Sequence, residues 1–351
     1  MAERDRTATT RCDSRHVVVG SVARIVELRG RDLSAVELPR SEWDLGDYVL
    51  GARPPNASPL RIEVPSGRVI EAAGADLLLG ALGRRAATLD LVGDWTEIGD
   101  DGRMHVLNAA GVLGRCSSAP IARNPPAELH YVGHAALDGE PISMASCARE
   151  TEATEAKPPV VMIIGTSMSA GKTVAGRAIV QTLRRMGKRV AATKLTGVGR
   201  YRDVLAMADA GADPIADFVD GGLPSTVVER KRFVAATRRV LAILAAGDPD
   251  VIVAEAGASP LEPYNGDTLV EMLRERICFT VLCASDPYAV VGVMDAFGTK
   301  PDLISGLATG NDAAIELIDR LVGLPALNLL DPASVRPLRD LLEKKLGPEI
   351  A

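Results

Sequence analysis

The chain has 351 residues, of which 47% are hydrophobic and 3% aromatic, and carries a net charge of −6. Two domains with ample apolar residues for their cores fit that length, and the acidic balance excludes a nucleic-acid-binding surface as the main function. The five cysteines (Cys12, Cys116, Cys147, Cys278 and Cys283) are odd in number and form no C-x-x-C pair, so they suggest neither a disulfide framework nor a zinc site.

Residues 1–14 are polar, contain arginine and lack an apolar h-region. They read as a disordered N-terminus rather than a secretory signal. No apolar run approaches the ~20 residues needed to span a bilayer, so a cytoplasmic protein without membrane contact is expected. Residues 15–145 read as a small mostly-β domain, a barrel or sandwich. Strands are predicted over 16–28, 47–51, 60–64, 68–72, 87–92, 105–108 and 129–136, and one short helix over Ala75–Leu82. All four histidines (His16, His105, His130 and His134) lie here. The four-residue spacing of His130 and His134 in a strand would put both on one face, and with no third ligand indicated they read as structural. Cys278 and Cys283 sit in an apolar strand-like run and read as core residues. Residues 146–159 are polar and close on Pro158-Pro159, the composition of an extended linker.

The rest of the chain, 160–351, opens on Val160-Val-Met-Ile-Ile164, then Gly165-Thr166-Ser167-Met168-Ser169-Ala170-Gly171-Lys172-Thr173. The helical period that begins at Val174 runs to Met186 and stops at Gly187. Strand, glycine loop and helix together mark a phosphate-binding P-loop, here one residue longer than the strict G-x-x-x-x-G-K-[ST] pattern because its first glycine is 165. Backbone N–H groups and the helix N-terminus face an anion in such a loop, with the lysine as a compact positive charge and the threonine hydroxyl free to ligate Mg²⁺. Lysine is scarce here, with eight in the chain and none before Lys157. A generic surface lysine is therefore a weaker explanation of Lys172.

Beyond the P-loop, strands are predicted over 188–194, 249–257, 279–284 and 302–307, alternating with helices over 204–210, 232–246, 268–276, 289–296 and 311–322. That alternation implies an α/β unit, a parallel sheet covered by helices on both faces, whose site lies at the carboxyl ends of the strands. Three strand ends carry polar residues: Lys172 and Thr173, Lys194 and Thr196, and Glu255. An acid closing an apolar strand downstream of a P-loop is where a metal-associated carboxylate is expected. Lys194 stands beside Gly197 and Gly199 and fits a phosphate or substrate. Arg200 and Arg202 suit carboxylate or phosphate recognition, and Asp203 is a further metal candidate.

These residues carry a resemblance. Gly165-Thr166, Gly171-Lys172-Thr173, Lys194, Arg202-Asp203-Val-Leu-Ala-Met and Val253-Ala-Glu255-Ala-Gly257 make residues 160 to about 330 similar to the dethiobiotin synthetase-like branch of P-loop NTPases. The resemblance implies ATP and Mg²⁺ as cofactors, phosphorylation of a carbamate, and a homodimer. Lys172 and Lys194 would neutralise the transferring phosphoryl group, with Glu255 also catalytic. Residues 165–174 would bind the nucleotide, Thr173, Asp203 and Glu255 would surround Mg²⁺, and Lys194, Thr196, Gly197, Arg200 and Arg202 would meet the substrate. Ser305-Gly-Leu-Ala-Thr-Gly-Asn311 resembles the strand and loop near the adenine, making Asn311 a base contact. The loop from Lys194 to Asp203 is shorter than in dethiobiotin synthetase, the third motif is less glycine-rich, and residues 1–150 have no counterpart there. Thr299-Lys-Pro-Asp302 matches the guanine-reading [NT]-K-x-D pattern but precedes its strand, and reads as a turn, with GTP in place of ATP as the alternative.

The expected function is an ATP- and Mg²⁺-dependent enzyme that phosphorylates a small carboxylate or carbamate for amide or ring formation. The alternatives are a small-molecule kinase with a stable phosphorylated product, an N-acyltransferase acting on an amino acid, and a nucleotide-binding adapter in cofactor biosynthesis.

Overall fold

The computed structural model describes residues 9–11, 17–54, 60–72, 77–121, 124–151, 157–298 and 300–346. His16, Cys12, most of residues 1–14, the central linker residues 152–156 and Thr299 lie outside the described residues. The chain forms two compact units. The first holds the N-terminal part to Arg149 together with residues 198–202 and 218–225, and the second holds the rest.

The first unit contains β1 (Thr9–Arg11), β2 (Val17–Val19), β3 (Leu33–Val36), β4 (Tyr48–Ala52), β5 (Leu60–Glu63), β6 (Val69–Ala72) and β7 (Leu77–Leu82). It continues with β8 (Arg84–Ala86), β9 (Val92–Asp94), β10 (Arg103–Val106), β11 (Val112–Ser118), β12 (Glu128–Leu137), β13 (Glu140–Pro141) and the short α1 (Met144–Cys147). The pairings β12–β4, β4–β7, β7–β11, β11–β10 and β10–β12 close a ring. The inward faces of this ring and of the β5–β6 hairpin bury Val49, Ile62, Leu78, Leu82, Met104, Leu113 and Leu129. Small residues set the close approaches: a Cβ on Gly80 would lie 2.4 Å from the Gly111 carbonyl oxygen.

Four expectations for this region are corrected. The segment predicted as a helix from Ala75 is strand β7 over Leu77–Leu82, because its leucines find partners on β2, β4 and β11 and tertiary pairing overrides helix propensity. The predicted strand 16–28 is only three residues long and gives way to a 3₁₀ turn, Ser21–Ala23. Within the stretch expected to be disordered, Thr9–Arg11 pairs with β3. Finally, β12 carries a bulge between Tyr131 and Gly133. The extra residue breaks the alternation of side chains, leaving His130 exposed and His134 buried. Tyr131 Oη lies 2.6 Å from His134 Nδ1, and Trp43 stacks at 4.3 Å from the Tyr131 ring. His105 Nδ1 accepts from the Cys116 N–H at 3.1 Å.

The second unit is a six-stranded, all-parallel sheet. Its elements are β14 (Val160–Gly165), α2 (Lys172–Arg185), β15 (Val190–Thr196), α3 (Tyr201–Ala208), β16 (Ile215–Asp217), α4 (Arg230–Ala245) and β17 (Val251–Ala256). Then follow α5 (Gly266–Leu273), β18 (Ile277–Ala284), α6 (Pro287–Phe297), β19 (Leu303–Gly306), α7 (Asp312–Val322) and α8 (Val335–Leu346). Helix α3 starts in the stretch that belongs to the first unit and ends in the second. Strand order is β16-β15-β17-β14-β18-β19. The central strands are buried along their whole length, as expected of a sheet covered on both faces. The polar residues that remain buried there stand at the strands' carboxyl ends.

Candidate functional site

Strand β14 brings Gly165 to the sheet's carboxyl edge, and α2 begins at Lys172. The turn between them uses left-handed backbone at Ser169 (φ 65°) and Gly171 (φ 98°). Gly171 is the N-cap of α2 and offers no side chain to the free N–H groups of the first turn; such an uncapped N-terminus is a ready anion site. Lys172 folds back over the loop and donates to the Ser167 carbonyl oxygen at 2.7 Å. A Cβ on residue 165 would lie 2.9 Å from Lys172 Nζ, so the early glycine leaves room for the lysine to cross the loop. Thr166 ties the loop to β18, its N–H donating to the Cys283 carbonyl and its hydroxyl accepting from the Ser285 N–H at 3.1 Å. From the other side Gly306 (φ 90°) closes on the loop, where a Cβ would meet the Ala170 oxygen at 2.2 Å.

One sheet level carries the charged residues. In the β-ladder register Lys194 stands opposite Asp217 on β16 and Glu255 on β17, so the three side chains emerge on one face. Lys194 Nζ donates to Asp203 Oδ2 at 2.7 Å. The lysine stem runs between two glycines, with Cβ atoms built on Gly257 and Gly197 falling 2.4 and 3.2 Å from its Cε. Thr173 Oγ1 donates to Glu255 Oε2 at 3.4 Å.

Electrostatics separate the two lysines. Burial pushes the Lys172 ammonium below the ordinary lysine value, and the nearby Glu255 opposes this only in part. Burial also works against the Lys194 charge, but Asp203 and then Glu255 outweigh it and hold that group above the ordinary value. Burial, reinforced by the Asp203 charge, raises the Glu255 carboxyl against the pull of Lys194 and Lys172. The Cys283 thiol beneath the loop is pushed up to about 12 by burial, a core thiol as its sequence context predicts.

The oxygen donors present, one hydroxyl and one or two carboxylates beside a phosphate cradle, fit the way Mg²⁺ is usually held, by few protein ligands plus phosphate. Among the described residues no group of three or more His, Cys, Asp or Glu is placed to hold a metal by itself. The structure therefore gathers Lys172, Thr173, Lys194, Asp203 and Glu255. Thr196 is buried behind them, its hydroxyl without a hydrogen-bond partner among the described residues. Arg200 and Arg202 are exposed and lie in the stretch 198–202 that packs as part of the first unit. Asn311 is the N-cap of α7, its Oδ1 accepting from the Ala314 N–H at 3.0 Å. Asp302 accepts from the Thr280 N–H at 2.8 Å and pairs with Lys345 at 2.6 Å.

Sequence reasoning missed Asp217 and Glu262, and met Gly306 only as part of the segment 305–311 without its contact to the P-loop. Asp217 ends a strand of three residues, too short to show a period, and its place beside Lys194 appears only in the ladder register. Glu262 is buried and accepts from the Ser259 N–H at 2.8 Å; the Ser-x-x-Glu spacing was the available signal. Gly306 meets the P-loop only through the neighbouring strands, which no local pattern shows.

No family model and no curated protein matches the chain. Among solved structures, the chain is similar to the signal recognition particle receptor FtsY from Elizabethkingia anophelis in complex with GDP, at 13% identity and a TM-score of 0.37 over 50% of this chain and 58% of that one. The chain thus spans less than two thirds of that protein. It is also similar to the hydrogenase maturation factor HypB from Archaeoglobus fulgidus (15% identity, TM-score 0.37, covering 54% of this chain and 91% of that one). A DUF1611 family protein from Anabaena variabilis matches at 18% identity with a TM-score of 0.36, covering 55% of this chain and 58% of that one. The loop geometry, the uncapped helix behind it, the buried lysine and the acid on the neighbouring strand give the second unit an anion cradle at the carboxyl edge of its sheet.

Proposed function

We propose that this protein binds ATP with Mg²⁺ and transfers the γ-phosphoryl group to a small acceptor, a carboxylate or carbamate that is thereby activated for amide or ring formation. One observation carries the reading. Two buried lysines, Lys172 at the start of α2 and Lys194 on β15 (4% and 6% exposed), act on Glu255 (2%), which is paired with Lys194 on the adjacent strand. A P-loop needs one lysine for its phosphates; a second, fixed by Asp203 and kept charged, supplies a cation for the acceptor's side of the transfer. Phosphoryl transfer depends on positioning and charge neutralisation rather than on a covalent partner, which suits a site without histidine.

In this reading the loop N–H groups of 165–174 and Lys172 hold the β- and γ-phosphates, and Lys194 orients the anionic acceptor. Thr173, Glu255 and Asp203 would hold Mg²⁺, which when bound neutralises charge on the phosphates. Thr196, expected to meet the acceptor, is fully buried at the end of β15 and would reach it only if the acceptor's entry opened the strand end. The resemblance to dethiobiotin synthetase and the spacing of Arg202-Asp203 after Lys194 support the choice of acceptor class. The homodimer expected on the same ground belongs to the proposal and is checked by light scattering.

The test is ³¹P NMR of the full chain with ATP, Mg²⁺ and pools of small carboxylic acids and amines. ADP formation that depends on an acid, with free phosphate released once an amine is added, is the expected result; a stable phosphorylated acid would make the protein a kinase. ATP that stays intact with every pool, or is hydrolysed at one rate regardless of acceptor, would contradict the proposal.

A further inference from the structure

The first unit offers no chemistry of its own that the sequence could identify, yet it contains residues 198–202, the stretch between Lys194 and Asp203. Three of its side chains, Glu63, Arg24 and Asn108, hold the two late-chain segments. Glu63, the last residue of β5, is fully buried, and its carboxylate accepts from the N–H groups of Tyr201 at 2.7 Å and Arg202 at 3.3 Å. Those two residues open helix α3, where N–H groups have no partner within the helix and a negative charge is favoured. The Ser21 hydroxyl donates to the same Glu63 carboxylate, so the buried acid has three donors and no uncompensated lone charge. The Arg24 guanidinium lies 4.3 Å from the centre of the Tyr201 ring and pairs with Asp220 at 2.7 Å. Asn108 fixes the preceding turn, its side-chain N–H₂ donating to the Gly199 carbonyl at 2.6 Å while its oxygen accepts from the Val112 N–H.

We infer that Glu63 is a positioning residue for the phosphoryl-transfer site: by binding the first two N–H groups of α3 it fixes the start of the helix whose third residue, Asp203, holds Lys194. It acts through the chain and touches no reacting atom. The segment it holds is short, since β15 ends at Thr196 and α3 begins at Tyr201. A loop of four residues anchored at Gly199 and at its helix has little freedom to move Asp203 off the lysine. Glu63 thereby keeps the start of α3 in the form that the Lys194–Asp203 pair requires. This rests on the reading of Lys194 and Asp203 given above.

The experiment is hydrogen–deuterium exchange on the full chain, wild type against Glu63→Gln, together with steady-state kinetics. Glutamine keeps the size but presents an N–H₂ where the carboxylate accepts. Exchange at the Tyr201 and Arg202 amides should rise about tenfold, as loss of one charge-assisted hydrogen bond implies, with α2 unchanged. The kcat should fall about tenfold while the affinity for MgATP stays within about twofold, a split that general destabilisation would not produce. If Glu63→Gln does not fold, Ser21→Ala is read at the same two amides, where faster exchange supports the inference and unchanged protection overturns it. Unchanged protection in Glu63→Gln, or a rise equal across α2 and the β-ring, also overturns it. A wild-type protein that shows no turnover would remove the phosphoryl-transfer reading, whereas the exchange at residues 201 and 202 would still decide what Glu63 holds.

Discussion

Burial works against the charge of Lys172, and this sets a pH limb that can be measured. Its pKa lies below the ordinary lysine value because desolvation disfavours the cation. The cation is the form that attracts a triphosphate, so affinity for MgATP is full below that depressed pKa and falls as pH rises through it. Lys194, held above the ordinary value by Asp203 and Glu255 against burial, stays charged over the same range and adds nothing to the limb. The expected outcome is an affinity that declines on the alkaline side before an exposed lysine would titrate; an affinity flat to beyond pH 10.5 contradicts it. The same depression has a stability sign. The folded state binds the Lys172 proton less tightly than the unfolded state, so its contribution is present above the unfolded value and lost as pH falls through the folded one. Below its folded pKa the charged lysine is therefore a cost to the free protein that a bound phosphate relieves. Lys172→Ala should lower turnover about 10²–10³-fold and abolish the rise in Tm that MgATP gives wild type, with circular dichroism unchanged. At this scale the sequence was informative where chemistry is local: Gly165 to Thr173 are contiguous, and their composition alone names an anion cradle. Asp217 and Glu63 were not legible, because each meets its partner only through a sheet register or a contact across more than a hundred residues.

Among the elements, the turn from β19 to its 3₁₀ continuation is the tightest support of the P-loop. Gly306 has φ 90° and ψ −156°, a region that side chains rarely enter, and an added Cβ would strike the Ala170 oxygen at 2.2 Å. Gly306→Ala should destabilise the protein by about 1–3 kcal/mol in urea unfolding and weaken MgATP binding as well, since the displaced atom belongs to the phosphate loop. Unaltered stability and binding would show that this turn yields freely. Helix α8 makes a different case. Leu338, Leu342 and Leu346 are buried at helical spacing, and Leu342→Ala should cost about 2–5 kcal/mol with nucleotide affinity unaffected, by the same two measurements. The helices and buried strands of the second unit could be read from their periods because each is long and covered on a fixed face. The first unit was harder to read. Its strands are short, β7 is apolar enough to pass for a helix, and the bulge that separates His130 from His134 has no signature in their spacing.

For the whole molecule, the division into units does not follow the chain. Residues 198–202 and 218–225 belong with the first unit, and they include the fully buried Val219 and the buried Asp220 that pairs with Arg24. A fragment that starts at residue 157 would leave those groups without their partners. It should unfold at a lower temperature than the full chain and without a sharp transition, as calorimetry can report; a fragment as stable as the parent would contradict this. Among the described residues no helix is long and apolar enough to cross a membrane. The proposed function and the positioning role of Glu63 both depend on a nucleoside triphosphate entering the cradle of residues 165–174. The most direct measurement is a calorimetric titration of the full chain with MgATP. Saturable binding at one site per chain, lost in Lys172→Ala, is the predicted result; no heat of binding, or equal binding by the variant, would contradict the account.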